Sequence, residues 1–479
     1  MKNMISRILV TVVLILAAVT ILPAQESTTL QFMKGMPQSD LLNPALHNDS
    51  SAVVIGLPGF SGAYFDFNSD FAVNDLIHKG TGMLADSLVL DLDNFYKKLG
   101  PTNSVQQHFS MPLFYLGIRS KKSFFSLGIT EKEVAQLTFD KSLIGFLKDG
   151  NAAYMGQNVD LGNLIFNSFD YSEIALGYSN ELIKNKLTVG VKVKALYGKF
   201  ALQTQRMNLK VETAADGSSL ILNSDMSVNM SMPVTEEYNT DGYLTNLNGD
   251  NIQPSDLILQ NGNFGTAFDL GAVYNLTPKI VLSGSIVDLG KISFKKDIVS
   301  INHVSNYEWT GIDFSNSLDK SGANYVDPST LVDDELKKME NSFRPKKSEV
   351  TSNAFEVKIP TKINFGGTYQ LNQKLNVGVL DRIYKLGTIS QNTLTFSANA
   401  MLGNFFSLTG SYSMIGNSTN NLGLGFALRL GFMQFYALSD NLLALSDPAK
   451  AQYVSAQFGM NFLFGRKHKP KVVETSDIQ

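Results

Sequence analysis

Hydrophobic and polar residues alternate strictly along much of this chain, most cleanly over residues 393–414. Leu394, Phe396, Ala398 and Ala400 fall on one face, and Thr393, Thr395, Ser397 and Asn399 on the other. Gly403 and Asn404 supply a tight turn. Phe406, Leu408, Tyr412 and Met414 then oppose Ser407, Thr409, Ser411 and Ser413. A period of two predicts a β-hairpin with one apolar face. The polar face decides the class: it carries small hydroxyls and an amide but no Lys or Glu, which suits a crowded wet lumen better than open solvent. Strands of about ten residues, apolar outside and polar inside, predict an all-β transmembrane antiparallel β-barrel.

The rest of the chain extends that reading. Residues 52–58 and 62–67 are extended, 76–99 read as one or two short helices, 107–130 return to strand patterning, and 131–168 read as helix or loop. Three short turns follow Leu182, Leu276 and Leu371 and precede Leu187, Ile280 and Leu375. They read as a duplicated unit or as the turn chemistry that any antiparallel barrel reuses. Between them lie long polar stretches, 232–263 and 304–356, the second with a helix predicted over 331–339. Short turns on one side and long loops on the other match the periplasmic and extracellular ends of an outer-membrane barrel. Val454, Ala456, Phe458, Met460, Phe462 and Phe464 share one face, so the last strand ends on an aromatic girdle. The count comes to about fourteen strands.

Composition narrows the class. Lys2 and Arg7, an apolar run over 8–21 and Leu22-Pro23-Ala24 read as a signal peptide over residues 1–24, cleaved after about residue 24. Four parts follow: this leader, a periplasmic N-terminal segment 25–50, the barrel 51–464 and a polar tail 465–479. No later run is long enough for a membrane helix, so a spanning chain must be a closed barrel. A net charge of −3 without basic runs argues against nucleic acid. The absence of cysteine excludes disulfides, thiolate metal sites, a cysteine nucleophile and a lipid-modified N-terminal cysteine.

Catalytic chemistry is sparse. His47, His78, His108, His303 and His468 have no metal-ligand spacing, and no nucleophile elbow, P-loop or dinucleotide fingerprint is present. We expect no enzyme, cofactor or metal. The loop around Asn239, Asp241, Asn246, Asn248 and Asp250 reads as a solvated external loop without the calcium-hand spacing. Asp288 and Asp381 are more informative. Each follows alternating apolar residues on the face predicted to meet lipid, where a carboxylate is costly away from the interface. Each is therefore a rim residue or sits at a bulge that turns it inward, and Arg382 is the nearest counter-ion in sequence.

Met36-Pro37-Gln38 followed by Asn43-Pro44-Ala45, ahead of a large barrel, resembles an uncharacterised barrel family of Bacteroidota envelopes. That family is similar to the FadL/TodX-type fatty-acid transporters and to the PorV and PorP/SprF barrels of type IX secretion. The first resemblance implies that Asn43, Pro44 and Ala45 belong to a hatch inside the barrel. The residues alone fit an ordinary Asn-Pro turn equally well, and segment 25–50 is short for a full plug. Two functions follow as expectations: a transporter or gated channel for a small hydrophobic ligand, or a non-catalytic envelope barrel that binds protein partners. In either case the barrel sits in the outer-membrane lipid.

Overall fold

The computed structural model describes residues 27–465, except 48–50, 251, 254–261, 323, 388 and 404. The leader over 1–24 and the tail beyond Gly465 lie outside the described residues. Fourteen antiparallel strands close into a barrel. In chain order the strands are β1 (Val53–Gly56, continued by Ala63–Ser69), β2 (Thr102–Ser120), β3 (Ser123–Asp140), β4 (Asn158–Ile183), β5 (Leu187–Thr213) and β6 (Leu220–Ser231). They continue as β7 (Phe264–Asn275), β8 (Ile280–Phe294), β9 (Ile298–Trp309), β10 (Phe355–Lys358, continued by Thr361–Gln370) and β11 (Leu375–Leu386). The last five are β12 (Ile389–Leu402), β13 (Phe406–Ile415), β14 (Ser418–Leu430), β15 (Met433–Ser439) and β16 (Tyr453–Phe464). β6 and β9 stand outside the ring, which closes where β16 pairs with β1, Phe464 opposite Val53.

The alternation that defined the hairpin at 393–414 is realised in β12 and β13. Thr395 lies opposite Ser413 and both are fully buried, whereas Phe396 lies opposite Tyr412 and both are exposed. Leu176, Val193, Phe268, Leu282, Phe365, Leu424 and Phe458 continue the exposed apolar band around the ring. Such a band is stable only against hydrocarbon. At the short-turn end Phe432 stacks on Phe464 at 5.8 Å, part of an aromatic girdle. Because closure leaves no free edge, the barrel should resist SDS until heated. An unboiled sample that migrates no faster than a boiled one would contradict it.

β4 and β5 are 26 and 27 residues long, more than twice what crosses a bilayer. Their surplus stands outside the membrane on the long-loop side, where β6 and β9 extend the sheet. Region 131–168, read as helix or loop, is instead mostly strand: β3 runs to Asp140, a helix spans Lys141–Asp149 and β4 begins at Asn158. Its mixed residues hide the alternation because this part of the sheet packs Leu137, Phe139 and Leu164 against the short helices rather than against lipid. The helix read over 331–339 spans Pro328–Ser342; Asp327 caps it, accepting the Ser329 amide at 2.9 Å, and Pro328 opens it. Within 76–99, a hairpin (Ile77–Lys79 with Leu88–Leu90) separates the two short helices Val73–Leu76 and Leu92–Lys98.

β1 is one wall strand in two pieces. Residues 57–62 leave the sheet, and both pieces pair with the same neighbours, β2 and β16. β2 bulges opposite, between Pro112 and Phe114. The wall is therefore interrupted at this height, with Leu57 and Phe60 exposed on its outer side.

Candidate functional site

Residues 27–47 lie inside the barrel. Two short 3₁₀ turns, Thr29–Phe32 and Pro37–Leu41, fold the segment compactly, and Leu30, Met33, Met36 and Leu42 cluster with the wall residues Ala427, Tyr436 and Leu438. Asn43, Pro44 and Ala45 form a turn packed against the inner wall. The Asn43 Oδ1 accepts the Ala45 amide at 2.9 Å, an Asx turn, while its Nδ2 donates to the Ala272 and Gly284 carbonyls of the wall.

The wall makes room for this segment with glycine. A Cβ on Gly271 (β7) would lie 2.1 Å from the Asn43 Oδ1, and one on Gly190 (β5) 2.3 Å from the Pro44 carbonyl carbon. A Cβ on Gly378 (β11) would meet the Phe32 ring at 2.4 Å, and one on Gly425 (β14) the Met33 sulfur at 2.8 Å. Four strands thus carry a glycine where the segment touches them, so any side chain there would displace it.

Polar contacts hold the segment along its length. At its inner end the Asp440 carboxylate accepts the Ser27 hydroxyl at 2.5 Å, the Thr28 and Thr29 amides at 2.9 Å and the Thr29 hydroxyl at 2.5 Å. In its middle, Gln38 and Asn461 exchange two amide hydrogen bonds, 2.7 and 3.0 Å, and the Gln38 Nε2 also donates to the Ser61 carbonyl at the wall interruption. Asp40 accepts the Tyr115 hydroxyl at 2.8 Å and pairs with Lys192 at 3.2 Å. The Leu42 carbonyl accepts Ser285 and Asn364, and Asn364 in turn accepts the Arg382 Nε at 2.9 Å. Hydrogen bonds to a buried charge contribute about 1.5–3 kcal/mol each. We expect Asp440→Asn to loosen the inner end. In this cysteine-free chain a Met33→Cys reporter should then react with a maleimide about tenfold faster. An unchanged rate would remove Asp440 as the anchor.

Above the segment the lumen is filled by a charged and aromatic layer. Asp288 has φ +61° and occupies a bulge: the β7–β8 register passes from Phe268–Leu289 to Leu270–Ile286, leaving Val287 and Asp288 both turned inward. Its carboxylate pairs with Lys132 at 3.4 Å, Lys362 at 3.3 Å and, closest of all, Lys194. Lys132 also reaches Glu173 at 2.8 Å, and Lys194 reaches Asp269 at 2.8 Å. Three lysines and three carboxylates therefore neutralise one another in the barrel interior. The counter-ions of Asp288 are these lysines rather than Arg382.

Asp381 and Arg382 are parted by the pleat. Arg382 points inward to Asn364, and Asp381 lies outward between Phe365 and Leu394 of the neighbouring strands. The structure does not bring the three sequence candidates to one place. It adds a buried relay that the sequence did not suggest: Asp66 to the His108 Nδ1 at 3.0 Å, and the His108 Nε2 to the Tyr384 hydroxyl at 2.5 Å. Among the described residues, no group of three or more His, Asp or Glu is placed to hold a metal ion.

A model of a family of unknown function (DUF5723) matches residues 44–440. The chain belongs to that family. The match opens at Pro44 and closes at Asp440, so it covers the barrel wall up to that anchor and leaves residues 27–43 ahead of it. No curated protein matches the chain. Among solved structures the chain is similar to the Ralstonia pickettii toluene transporter TbuX, with 11% identity, 93% of this chain and 100% of that one covered and a TM-score of 0.40. A Pseudomonas aeruginosa FadL homologue shows 11% identity, the same coverages and a TM-score of 0.41. The Pseudomonas putida toluene transporter TodX shows 9% identity, coverages of 92% and 97% and a TM-score of 0.37.

Proposed function

We propose that this DUF5723 barrel is a gated outer-membrane channel for a small hydrophobic ligand, with residues 27–47 as the gate. The carrying observation is that the lumen is closed by a separate stretch of chain, seated on glycines and held by hydrogen bonds that can exchange for water. The same segment backs the wall interruption at 57–62, where Gln38 bonds Ser61 from inside and Leu57 and Phe60 face outward. Withdrawal of the segment would therefore clear its own part of the lumen and a sideways path through the wall into lipid suited to an apolar solute, with the charged layer left in place. The reading includes a leader removed after about residue 24, a short periplasmic hatch within 25–50, a barrel over 51–464 and a polar tail, and it assigns no catalysis.

A second reading, a secretion-associated barrel of the PorV or PorP type in a Bacteroidota envelope, draws support from the filled lumen and from the large sheet outside the membrane. One experiment separates the two: purification from the native envelope in mild detergent, with mass spectrometry of bound lipids and proteins together. The channel reading expects a stoichiometric small apolar ligand without a protein partner. A stoichiometric protein partner on a ligand-free barrel would overturn it in favour of the second.

A further inference from the structure

Outside the membrane, above the wall formed by β1, β13, β14 and β16, lies a cavity of about 480 Å³. Four segments build it: the stretch after β1, the end of the helix Leu92–Lys98, Asn417 with the start of β14 to Asn420, and the loop 440–452. We propose that this cavity is an external binding site for a small saccharide, independent of what crosses the barrel.

The lining chemistry selects the ligand. Its charges are mostly spent on the protein. Asp70 accepts the Ser104 amide and hydroxyl at 2.7 and 2.9 Å and the Asn417 amide at 2.8 Å. Asp75 accepts the Ala72 amide at 2.9 Å, and Asp447 is paired with Lys450 at 2.7 Å. What the cavity still offers a ligand is the side chains of Thr419 and Asn420, the amide oxygens of Asn417 and Gln452, whose nitrogens already donate to Asp70, the exposed ammonium of Lys98, and the apolar faces of Leu443 and Ala444. An apolar ligand would strand those polar groups at a cost of about 1–3 kcal/mol each. A polyanion would meet three carboxylates. A neutral or singly acidic polyol satisfies the donors and acceptors and lays its C–H faces on the apolar ones. The volume lies within the range of small-molecule sites.

The floor of the cavity is continuous with the anchor of the inner segment. Asn441 lines the cavity, donates to Asn421 at 3.0 Å and to the Tyr453 carbonyl at 2.9 Å, and is the chain neighbour of Asp440. Asn421 in turn donates to the Ser413 carbonyl at 3.1 Å, and the Ser413 hydroxyl touches that of Thr28 at 3.4 Å. A ligand that rearranges Asn441 therefore moves the residue that holds Ser27, Thr28 and Thr29.

The test is saturation-transfer NMR on the full-length barrel in detergent with maltose, N,N′-diacetylchitobiose and glucuronic acid as probes. We expect at least one probe to bind. The double variant Thr419→Val/Asn420→Leu, two exposed residues at the start of β14, should weaken binding about tenfold while the barrel stays heat-modifiable. No transfer from any of the three probes, or equal transfer with the variant, overturns the site. The bound probe should also change the maleimide rate at Met33→Cys. Binding with an unchanged rate would overturn the coupling to the inner segment.

Discussion

Gly271→Leu will unseat the inner segment. The new Cβ would fall 2.1 Å from the Asn43 Oδ1 and 2.8 Å from the Pro44 Cδ, distances that no side chain keeps. Both neighbours belong to a turn fixed by its own Asx hydrogen bond, so they cannot yield separately. Overpacking of this kind costs about 1–3 kcal/mol. Nothing equivalent is lost in the wall, where Gly271 pairs through its backbone with Ser285 and Gly190. The cost therefore falls on the seated state, and its population against the withdrawn state should drop about tenfold or more. A Met33→Cys reporter should react with a maleimide about tenfold faster in the variant than in the wild type. Gly410→Leu is the matched control, because a Cβ on that wall glycine meets nothing within 4 Å. If both variants react no faster than the wild type while remaining heat-modifiable, residues 27–47 are fixed filling and not a gate.

The glycines also mark what the pattern could and could not give. Alternation at 393–414 and 422–428 separates lipid-facing from inward residues because hydrocarbon tolerates no polar side chain, and that rule is local to each strand. Strand number, direction and the position of the long loops all follow from it. The pattern is silent on what an inward residue touches. Gly423 and Gly425 alternate with Leu422, Leu424 and Phe426, and in sequence they are simply small inward residues. Only the fold brings Thr29 and Met33 against them. The pattern also fails where lipid is absent. In β4, beyond the membrane, the outer face no longer meets hydrocarbon and Leu164 packs on a cluster under the short helices instead, so the strict alternation that lipid imposes has no physical cause there.

The same reasoning applies to the charged residues. Asp288 sits where parity predicts a lipid contact, so its cost on that face signals a departure from regular pairing. The bulge at Val287–Asp288 is that departure. Its partners Lys132, Lys194 and Lys362 come from three other strands and share no sequence spacing. Arg382, adjacent to Asp381, looks like its counter-ion only while the pleat is ignored, since neighbours in a strand face opposite ways. The relay Asp66–His108–Tyr384 shows the same limit: its members lie on three strands.

Asp288→Ala will destabilise the barrel more than any other single change to the charged layer. Asp288 is the one carboxylate that pairs with all three lysines, and each of these ammonium groups is buried. Removing it takes away the carboxylate that all three buried lysines share, so the layer carries one more positive charge than before. Breaking a buried pair from one side costs about 3–5 kcal/mol, far more than the pair itself contributes. A second cost comes from the backbone: Asp288 sits at φ +61°, which alanine adopts less readily than aspartate. Asp288→Asn separates the two costs, since it keeps the positive-φ preference and loses only the charge. The order of resistance to urea in detergent, read by heat-modifiable mobility, should be wild type, then Asp288→Asn, then Asp288→Ala. Adding Lys362→Met to Asp288→Asn restores the balance of charge and should recover most of the loss, because Lys362 pairs with Asp288 at 3.3 Å. If the double variant is weaker than Asp288→Asn alone, the three lysines and three carboxylates do not act as one neutral set, and Lys362 stabilises the wall by packing rather than by charge.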